Sequence, residues 1–456
     1  MAKYQQYAEY KDSGVEWLGE IPSDWMATEL KRNCKVTDGS HHSPAVEIEG
    51  LPFVSVTDVG INEINFINSK KISDQAFERL VKEGCKPSVG DVLLTKDGTI
   101  GRACIVTEEM PDFVILSSLG LLTPSKKLIN KYLYYYLISG INIDQMNSVI
   151  HGSALRRMTI SKINDLVIAF PQKKEDQTQI ANFLDFETAQ IDTLIEKQQT
   201  LIQLLKEKRQ AVISHAVTKG LNPDAPMKDS GVEWLGEVPA HWKVLRLKHL
   251  IRSLESGCSV NAADIPAQEN EIGVLKTSCV YTRTFRVEEN KTVFKEDLDR
   301  VKCPIRKGAI IISRMNTPDL VGASAVIDVD AENIFLPDRL WQTNFNNNFD
   351  LIPKFIAYFM TVKGFRNQIS LAAEGASSSM QSISKEDYLS ISCILPLIKE
   401  QQEIVSYIEE MKSKFDSLVD NAEKAIQLMQ ERRTALISAA VTGKIDVRGW
   451  VAPENA

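Results

Sequence analysis

The sequence predicts an α+β protein built from two similar halves. Each half contains one globular region followed by one long helix, and the two helices form an antiparallel coiled-coil pair. Three observations predict this fold: an apolar repeat at helical spacing, its recurrence 224 residues later, and a duplicated segment ahead of each globular region. The internal duplication indicates a pseudo-two-fold arrangement, because a repeat of this length is too long for a solenoid.

The apolar repeat of the first half occupies residues 175–217. Its members follow one another in steps of three and four residues, as in a helix that packs on another helix: Ile180, Leu184, Ile191, Leu194, Leu201, Leu205 and Val212. Since 224 is a whole number of heptads, the same shift gives a second seam in phase with the first: Ile404, Ile408, Phe415, Leu418, Ala425, Met429 and Leu436. We therefore expect the two helices to pair within one chain.

A duplicated segment divides the chain into repeating parts. Residues 11–30 (KDSGVEWLGEIPSDWMATEL) recur as residues 228–247, with 13 of 20 positions identical. The predicted order is an N-terminal repeat segment, a globular region, a helix, a linker with the second repeat segment, a globular region, a helix and a tail: residues 1–25, 26–172, 173–219, 220–242, 243–396, 397–445 and 446–456.

Runs of β-branched residues between Gly and Pro predict strands in both globular regions. In the first region we predict strands at 51–56, 89–94, 103–107 and 113–116, a helix at 130–139 and an extended run at 160–170. In the second we predict strands at 272–277, 307–313 and 323–328, a helix at 353–363 and an extended run at 389–395.

Composition places the chain among ordinary globular proteins, with 43% hydrophobic and 25% charged residues. Apolar runs of membrane-spanning length and a signal-peptide core are both absent from the sequence, and its seven cysteines form no CxxC pair. We therefore expect a cytoplasmic protein with reduced thiols. The formal net charge of −7 is concentrated in residues 1–25, 220–242 and 397–456, so it does not exclude a nucleic-acid partner for the globular regions.

Motifs of several enzyme classes are missing from the sequence. It contains no Pro-Pro dipeptide, as the Asn/Asp-Pro-Pro-aromatic turn of an amino-group methylase would need, and neither GxxxxGK[ST] nor GxGxxG. Its six histidines show no zinc-ligand spacing. We therefore expect no catalytic residues and no metal in this chain.

Loops in both halves carry polar residues that could contact DNA, because Arg, Lys and Asn reach base edges and phosphates from loops. The candidates are His41, His42, Lys96, Thr99, Arg102, Arg156, Arg157, Ser259, Asn261, Arg314, Asn316, Thr317, Ser377, Ser378 and Gln381. The alternative interpretations are a polar surface loop for the two histidines, a solvated pair for Arg156 and Arg157, and hairpin turns for the glycine-rich loops. The repeated tryptophans, Trp17, Trp25, Trp234 and Trp242, are predicted to be packing anchors.

The repeated segments resemble a known protein family. KDSGVEWLGEIPSDW, the QxxI start of each helix (177–180 and 401–404), and the endings EKRQAVISHAVT and ERRTALISAAVTGKID are similar to the DNA-specificity subunit of Type I restriction–modification systems. The resemblance covers essentially the whole chain. The globular regions match only in outline, in pieces such as VGDVLLTKDGTIG.

The resemblance implies two target recognition domains, each reading one half of a split, asymmetric double-stranded DNA site. It also implies that the helices dock two modification subunits, which bind S-adenosylmethionine and methylate adenine, and that restriction subunits using ATP and Mg²⁺ join them. A rival interpretation is a coiled-coil scaffold that joins two proteins; an enzyme with an unrecognised site is a third. From the repeat we also expect residues 1–25 to pack near the end of the second helix, as residues 227–242 follow the first.

Overall fold

The computed structural model describes residues 4–150, 156–377 and 380–453. The chain divides into two compact units: unit 1 comprises Met1–Gln199 and Glu423–Ala456, and unit 2 comprises Thr200–Ala422. This division cuts each long helix in the middle, so it does not test the predicted domain boundaries, which stay predictions. Among the described residues, no helix is both long and apolar enough to span a bilayer.

Unit 1 contains a hairpin, a four-stranded sheet, a three-stranded sheet and a two-stranded sheet. In spatial order the strands are Tyr10–Asp12 and Glu20–Pro22; Cys34–Asp38, Leu119–Pro124, Val92–Thr95 and Ala103–Ile105; Lys70–Ile72, Leu51–Val54 and Val114–Ile115; and Val167–Pro171 with Trp25–Glu29. Its short helices are Leu30–Arg32 (3₁₀), Asp74–Lys82, Asn130–Ile138, Gly140–Val149 and Ile160–Asn164.

Unit 2 repeats the hairpin, the four-stranded sheet and the two-stranded sheet. These are Met227–Asp229 and Glu237–Pro239; Ile251–Glu255, Leu340–Phe345, Ile310–Ser313 and Ser324–Val326; and Lys243–Arg246 with Ser392–Leu395. Two further sheets are Ala262–Ala263, Asn290–Val293, Gly273–Leu275 and Ile334–Phe335, and Met315–Asn316, Met380–Ser382 and Glu374–Ser377. The short helices are Leu247–Leu250, Thr277–Val280 (3₁₀), Lys295–Arg300 (3₁₀), Pro353–Phe359, Lys363–Ala372 and Lys385–Ser390.

The two predicted long helices are present as Lys174–Lys219 and Ile398–Val441, hereafter the first and second long helices. In unit 1, Arg433 donates hydrogen bonds to Asp192; in unit 2, Arg209 donates one to Asp416 at 2.5 Å. From 192 to 209 along the first helix, the partner moves back by the same number of residues along the second. The helix segments within each unit are therefore antiparallel, as predicted.

A buried glutamine fixes the beginning of each long helix. The side chain of Gln177 donates to the carbonyls of Lys127 and Pro171 and accepts from the N–H of Ile129, each at 2.9 Å. Gln401 makes the equivalent three bonds in unit 2, to Asp350, Pro396 and Ile352 at 2.8–3.1 Å. Both side chains are fully buried, so this residue of the QxxI motif joins helix to globular region in both halves.

The predicted seam is wrong at three of its fourteen positions. Leu194, Leu201 and Leu418 are 49, 42 and 49% exposed, whereas the residues that follow them, Ile195, Ile202 and Val419, are half-buried. The remaining seam members are buried or half-buried: Ile180, Leu184, Ile191, Leu205, Val212, Ile404, Ile408, Phe415, Ala425, Met429 and Leu436. At each of these Leu–Ile and Leu–Val doublets, the helical spacing fits either residue as the seam member. In the structure, the residue nearer the C-terminus is the more buried one.

The expected packing of the repeat segments is confirmed within each unit. In unit 1, Gln5 pairs with Asp446, and Lys444 Nζ donates to the carbonyl of Glu20 at 2.7 Å. In unit 2, Lys219 Nζ donates to the carbonyl of Glu237. Trp25 and Trp242 are buried, and Trp234 packs on Phe359. Trp17 is 41% exposed, so the prediction that it is a packing anchor is wrong.

The extended runs predicted at 160–170 and 389–395 are wrong in their first part. Each is a strand, Val167–Pro171 or Ser392–Leu395, preceded by a short helix. The helices Ile160–Asn164 and Lys385–Ser390 begin after Thr159 and Ser384, whose hydroxyls cap them by accepting from a backbone N–H. The other predicted strands and helices are present, with shifted ends.

Candidate nucleic-acid interface

In unit 1 the four-stranded sheet brings two predicted loops to one edge. Strands Cys34–Asp38 and Val92–Thr95 both run antiparallel to Leu119–Pro124, so both end where that strand begins. Asp38 and Lys96 consequently lie at the same edge. The backbone N–H of Lys96 is held there by the carbonyl of Ser118 at 3.0 Å.

A third segment, residues 156–158, lies along the Lys96 loop in antiparallel orientation. Met158 N–H donates to the Lys96 carbonyl at 2.8 Å, and Gly98 N–H donates to the Arg156 carbonyl at 3.1 Å. Asp97 and Arg157 face each other in this bridge. We call the assembly of residues 38–41, 96–98 and 156–158 the unit 1 edge site.

Alternating charges fill the unit 1 edge site. The Lys96 side chain is only 1% exposed, and its ammonium lies 3.5 Å from Asp38 Oδ1 and 3.8 Å from Asp97 Oδ1. Arg157 Nε lies 3.3 Å from Asp97 Oδ1, and His41 Nε2 lies 3.1 Å from Asp38 Oδ2. A buried ammonium is stable only when it is paired, so Lys96 fixes both carboxylates and does not itself reach outward.

Unit 2 builds the same backbone arrangement at the same sheet edge. Arg314 N–H donates to the Arg339 carbonyl at 3.0 Å, as Lys96 does to Ser118, and Ile383 N–H donates to the Arg314 carbonyl at 3.1 Å, as Met158 does to Lys96. Residues 314–317 and 381–383 form the unit 2 edge site.

The side chains at equivalent places of the two edge sites differ in charge and size. Met315 faces Ser382 where Asp97 faces Arg157, and Asn316 faces Gln381 where Gly98 lies beside Arg156. The two sites therefore share one backbone frame and present different chemical groups.

A glycine closes each loop against a helix. Gly101 has φ +96°, and a Cβ there would lie 2.4 Å from Ile143 of helix Gly140–Val149. Gly322 has φ +69°, and a Cβ there would lie 2.5 Å from Ile369 of helix Lys363–Ala372. The positive φ favours glycine at both positions, and a side chain there would also have to displace the tip of an isoleucine, so these residues bring the loops close to the helices.

Several predicted contact residues are used within the protein. Asn316 is buried and donates to Tyr281 Oη at 2.9 Å, so its amide supports the unit 2 edge site. Thr317 N–H donates to the Asn316 side chain. In unit 1, Arg102 donates to the Val59 carbonyl at 3.3 Å, and Arg156 donates to Asn147 at 2.5 Å.

The other predicted residues lie in neighbouring segments. His42 and Thr99 are exposed, and the Thr99 carbonyl accepts from Thr95. The Ser259 carbonyl accepts from Arg300, and Asn261 N–H donates to Asp297 at 2.6 Å. The backbone hydrogen bond from Asn261 and the side-chain hydrogen bond from Arg300 lower the pKa of Asp297. Ser377 ends the strand that pairs with Met380, and Ser378 lies outside the described residues.

The sequence interpretation missed the two carboxylates of the unit 1 edge site. Asp38 and Asp97 stand inside the singled-out loops, and their alternation with His41 and Lys96 was a usable signal for ion pairing. Ser382 lies one residue beyond the predicted contact residue Gln381, where nothing in the local sequence marks it.

Two arginines lie behind the unit 2 edge site with incomplete pairing. Arg366 donates to the Asp319 carbonyl at 3.1 Å, but among the described residues one terminal nitrogen of Arg366 and one of Arg283 have no hydrogen-bond partner. Burial, and then the nearby charge of Arg283, lowers the pKa of Arg366 to about 10.

Comparison with known proteins gives concordant matches. The family described as "Type I restriction modification DNA specificity domain" matches residues 51–206 and 239–427. The specificity subunit of the type I restriction enzyme EcoKI from Escherichia coli K12 is 24% identical over 447 residues, covering 94% of this chain and 90% of that protein.

Two solved structures share the fold. One, from work on complex assembly and conformational transition of the type I R-M system, has a TM-score of 0.62 at 14% identity and covers 92% of this chain and 98% of that one. The HsdS subunit from Thermoanaerobacter tengcongensis has a TM-score of 0.51 at 15% identity, covering 93% and 98%.

Proposed function

The chain belongs to the family of Type I restriction–modification DNA specificity subunits, and from that premise we propose that each of its units reads one half of a bipartite, asymmetric double-stranded DNA sequence. As a specificity subunit, the chain supplies recognition, and catalysis belongs to other subunits.

The observation that carries the proposal is the pair of edge sites. A common backbone frame that presents Asp97 and Arg157 in unit 1, but Met315 and Ser382 in unit 2, suits two readers of unlike half-sites. Side chains that differ in hydrogen-bonding groups select different base edges in the major groove. A scaffold that joined two copies of one partner would need similar surfaces in both units.

The long helices are the proposed docking surface for two modification subunits, with restriction subunits joining them. In unit 2, Leu201, Leu204 and Leu418 expose 42–55% of their surface on the helices. Unit 1 exposes Leu194 and Leu428 in the same way. Leu201 and Leu204 are three residues apart and share one helix face, and contiguous exposed apolar surface is typical of protein–protein contacts. S-adenosylmethionine, ATP and Mg²⁺ then belong to the docked subunits.

Methylation mapping of DNA from cells that carry this chain with its modification subunits tests the proposal. We expect one two-part motif with an unread gap. Exchange of residues 26–172 for those of another specificity subunit should change one half of the motif and leave the other half intact. A motif changed in both halves, or methylation without sequence preference, would contradict the assignment of one reader to each unit.

Binding measurements separate this function from the rival scaffold. A DNA reader prefers its target over unrelated DNA and loses affinity steeply as salt rises, because counterions are released on binding. A scaffold would show neither property in complex with its partners.

A further inference from the structure

We propose that Arg157 contacts a guanine of the half-site read by unit 1, with Asp97 as its positioning residue. This inference rests on the proposed function and adds one base and one side chain to it. Three features of the unit 1 edge site carry it: the exposure of Arg157, the Asp97 carboxylate beside it, and the buried charge beneath that carboxylate.

Arg157 is an exposed cation of the unit 1 edge site that lies against a carboxylate. Its side chain is 53% exposed, whereas that of Lys96 is 1% exposed. Its Nε lies 3.3 Å from Asp97 Oδ1 in an ion pair without hydrogen-bond geometry, and among the described residues its two terminal nitrogens have no protein partner. The free end of the guanidinium is thus the part that an incoming base would meet.

A guanine fits this end of the side chain. In the major groove, guanine presents two acceptors, O6 and N7, side by side, and the planar guanidinium fork donates to both. A lysine at this position could not form the paired contact. The ion pair at Nε leaves the terminal nitrogens for the base.

The support beneath Arg157 reduces the entropy lost on binding. The backbone of Arg157 is paired with that of Asp97, and Asp97 is in turn fixed by the buried ammonium of Lys96. A side chain that is oriented before binding loses less conformational freedom in the complex. Asp97 therefore acts on recognition through Arg157, without touching DNA itself.

The neighbouring carboxylate favours a base over a phosphate. Asp97 lies 3.3 Å from Arg157 Nε and offsets its positive charge, which weakens the attraction of Arg157 for a phosphate group. A base edge carries no net charge, so hydrogen bonds to it depend less on that positive charge. In unit 2 the equivalent positions hold Met315 and Ser382, so the same contact is not available there.

The experiment uses the full chain with its modification subunits and a DNA library with randomised half-sites, read by methylation sequencing. Arg157→Ala and Arg157→Lys should each reduce the preference for guanine at one position by about tenfold or more, since both remove the fork. Asp97→Asn should reduce the same preference by less. The half-site of unit 2 should not change.

Arg79→Ala is the matched control, because Arg79 is a similarly exposed arginine of unit 1 that pairs with Glu83. It should leave the motif and the methylation rate unchanged. If Arg157→Ala lowered methylation of all sequences equally, or relaxed no guanine, the inference would be wrong. A wild-type complex without a two-part motif would instead refute the proposed function. An unaltered half-site for unit 2 in each variant shows that the chain has folded.

Discussion

The guanidinium of Arg448 lies over the ring of Tyr7, 4.6 Å from its centre. Arg448 also donates two hydrogen bonds to Asp446 Oδ2, from Nε at 3.2 Å and from Nη2 at 2.6 Å. The backbone of Asp446 pairs with that of Gln5. A residue from each end of the described chain thus takes part in one clasp within unit 1. Cation–π contacts are favourable, and charge-assisted hydrogen bonds are stronger than hydrogen bonds between neutral groups. This clasp should therefore contribute measurably to the free energy of unfolding.

The stability that the Asp446 carboxylate contributes to the clasp should depend on pH. Burial acts to raise the pKa of Asp446, but the hydrogen bonds from Arg448 outweigh it and lower the pKa below the ordinary value of 3.8. The charged carboxylate therefore stabilises the fold above about pH 4, and this contribution is lost as the pH falls through the lowered pKa.

Asp446→Asn should reduce the free energy of unfolding by about 1 kcal/mol at pH 7, a small value because the pair is partly exposed and screened. The difference from wild type should shrink at pH 3. Urea unfolding at both pH values measures it, with Asp144→Asn as a control on an exposed acid of unit 1. A difference that grew on acidification would contradict the assignment.

Replacing the buried glutamine of either half should loosen that unit. Gln177→Ala leaves two carbonyls and one N–H buried without partners, so we expect a loss of about 3 kcal/mol. Hydrogen exchange should accelerate around 127–129 and 171–177. Gln203→Ala, on the exposed face of the same helix, should have little effect. Equal effects of the two substitutions would show that Gln177 has no special role.

The corrected helix seam separates folding from docking. Ile202→Glu should destabilise unit 2, because a half-buried apolar position receives a charge. Leu201→Glu alters an exposed neighbour, so the chain should unfold like wild type but bind its modification subunits at least several-fold more weakly. Thermal unfolding and a pull-down with purified modification subunits measure the two properties. Normal assembly of the Leu201 variant would exclude this face from the docking surface.

The arginines of the two edge sites should differ in their effect on the recognised motif. Arg314 has no ion pair among the described residues, and Glu255, which ends the outer strand of the same sheet, is paired with Arg306 at 2.6 Å. We expect Arg314→Ala to relax one base position in the half-site of unit 2. Arg156→Ala should weaken binding to all sequences alike. The Arg156 side chain donates to Asn147, so it is not directed at a base edge. Methylation sequencing distinguishes the outcomes, and the reverse pattern would exchange the two roles.

Helix length should set the unread gap in the DNA target. Insertion of one heptad into the first long helix alone should disturb its register against the second. Matched insertions, after Gln199 and after Ala425, lie opposite each other, so they should restore pairing and lengthen each helix by roughly 10 Å. The preferred gap should then grow by about three base pairs. An active double insertion that kept the original gap would show that the helices do not determine the spacing.

Periodicity and repetition were sufficient to predict the α+β class, the duplicated halves and both long helices. The seam was assigned to the wrong residue at Leu194, Leu201 and Leu418, because each precedes another apolar residue and a hydrophobic pattern cannot choose between them. Burial of one member depends on the partner helix and is not encoded in spacing alone. The short helices before Val167 and Ser392 were missed for a related reason: their capping hydroxyls, on Thr159 and Ser384, were overlooked beside apolar runs.

The sequence predicted individual contact residues in separate loops, but it did not predict which of these residues lie together in one site. Sequence indicated Lys96 and Arg157, but their connection through Asp97 depends on strands that are far apart in the chain. Nothing local predicts that Lys96 is buried or that Asn316 turns inward to Tyr281. These outcomes follow from sheet pairing, which joins residues across long stretches of sequence.

The two ion pairs of the long helices record how such a chain could have arisen. Asp192 pairs with Arg433 and Arg209 pairs with Asp416, and each residue of one pair lies 224 positions from its counterpart in the other. This reciprocity, in which residue i meets j and j meets i, is the signature of an isologous interface between identical subunits. Duplication and fusion of a chain of half this length would produce this reciprocity, and the recognition surface of each half would then be free to diverge.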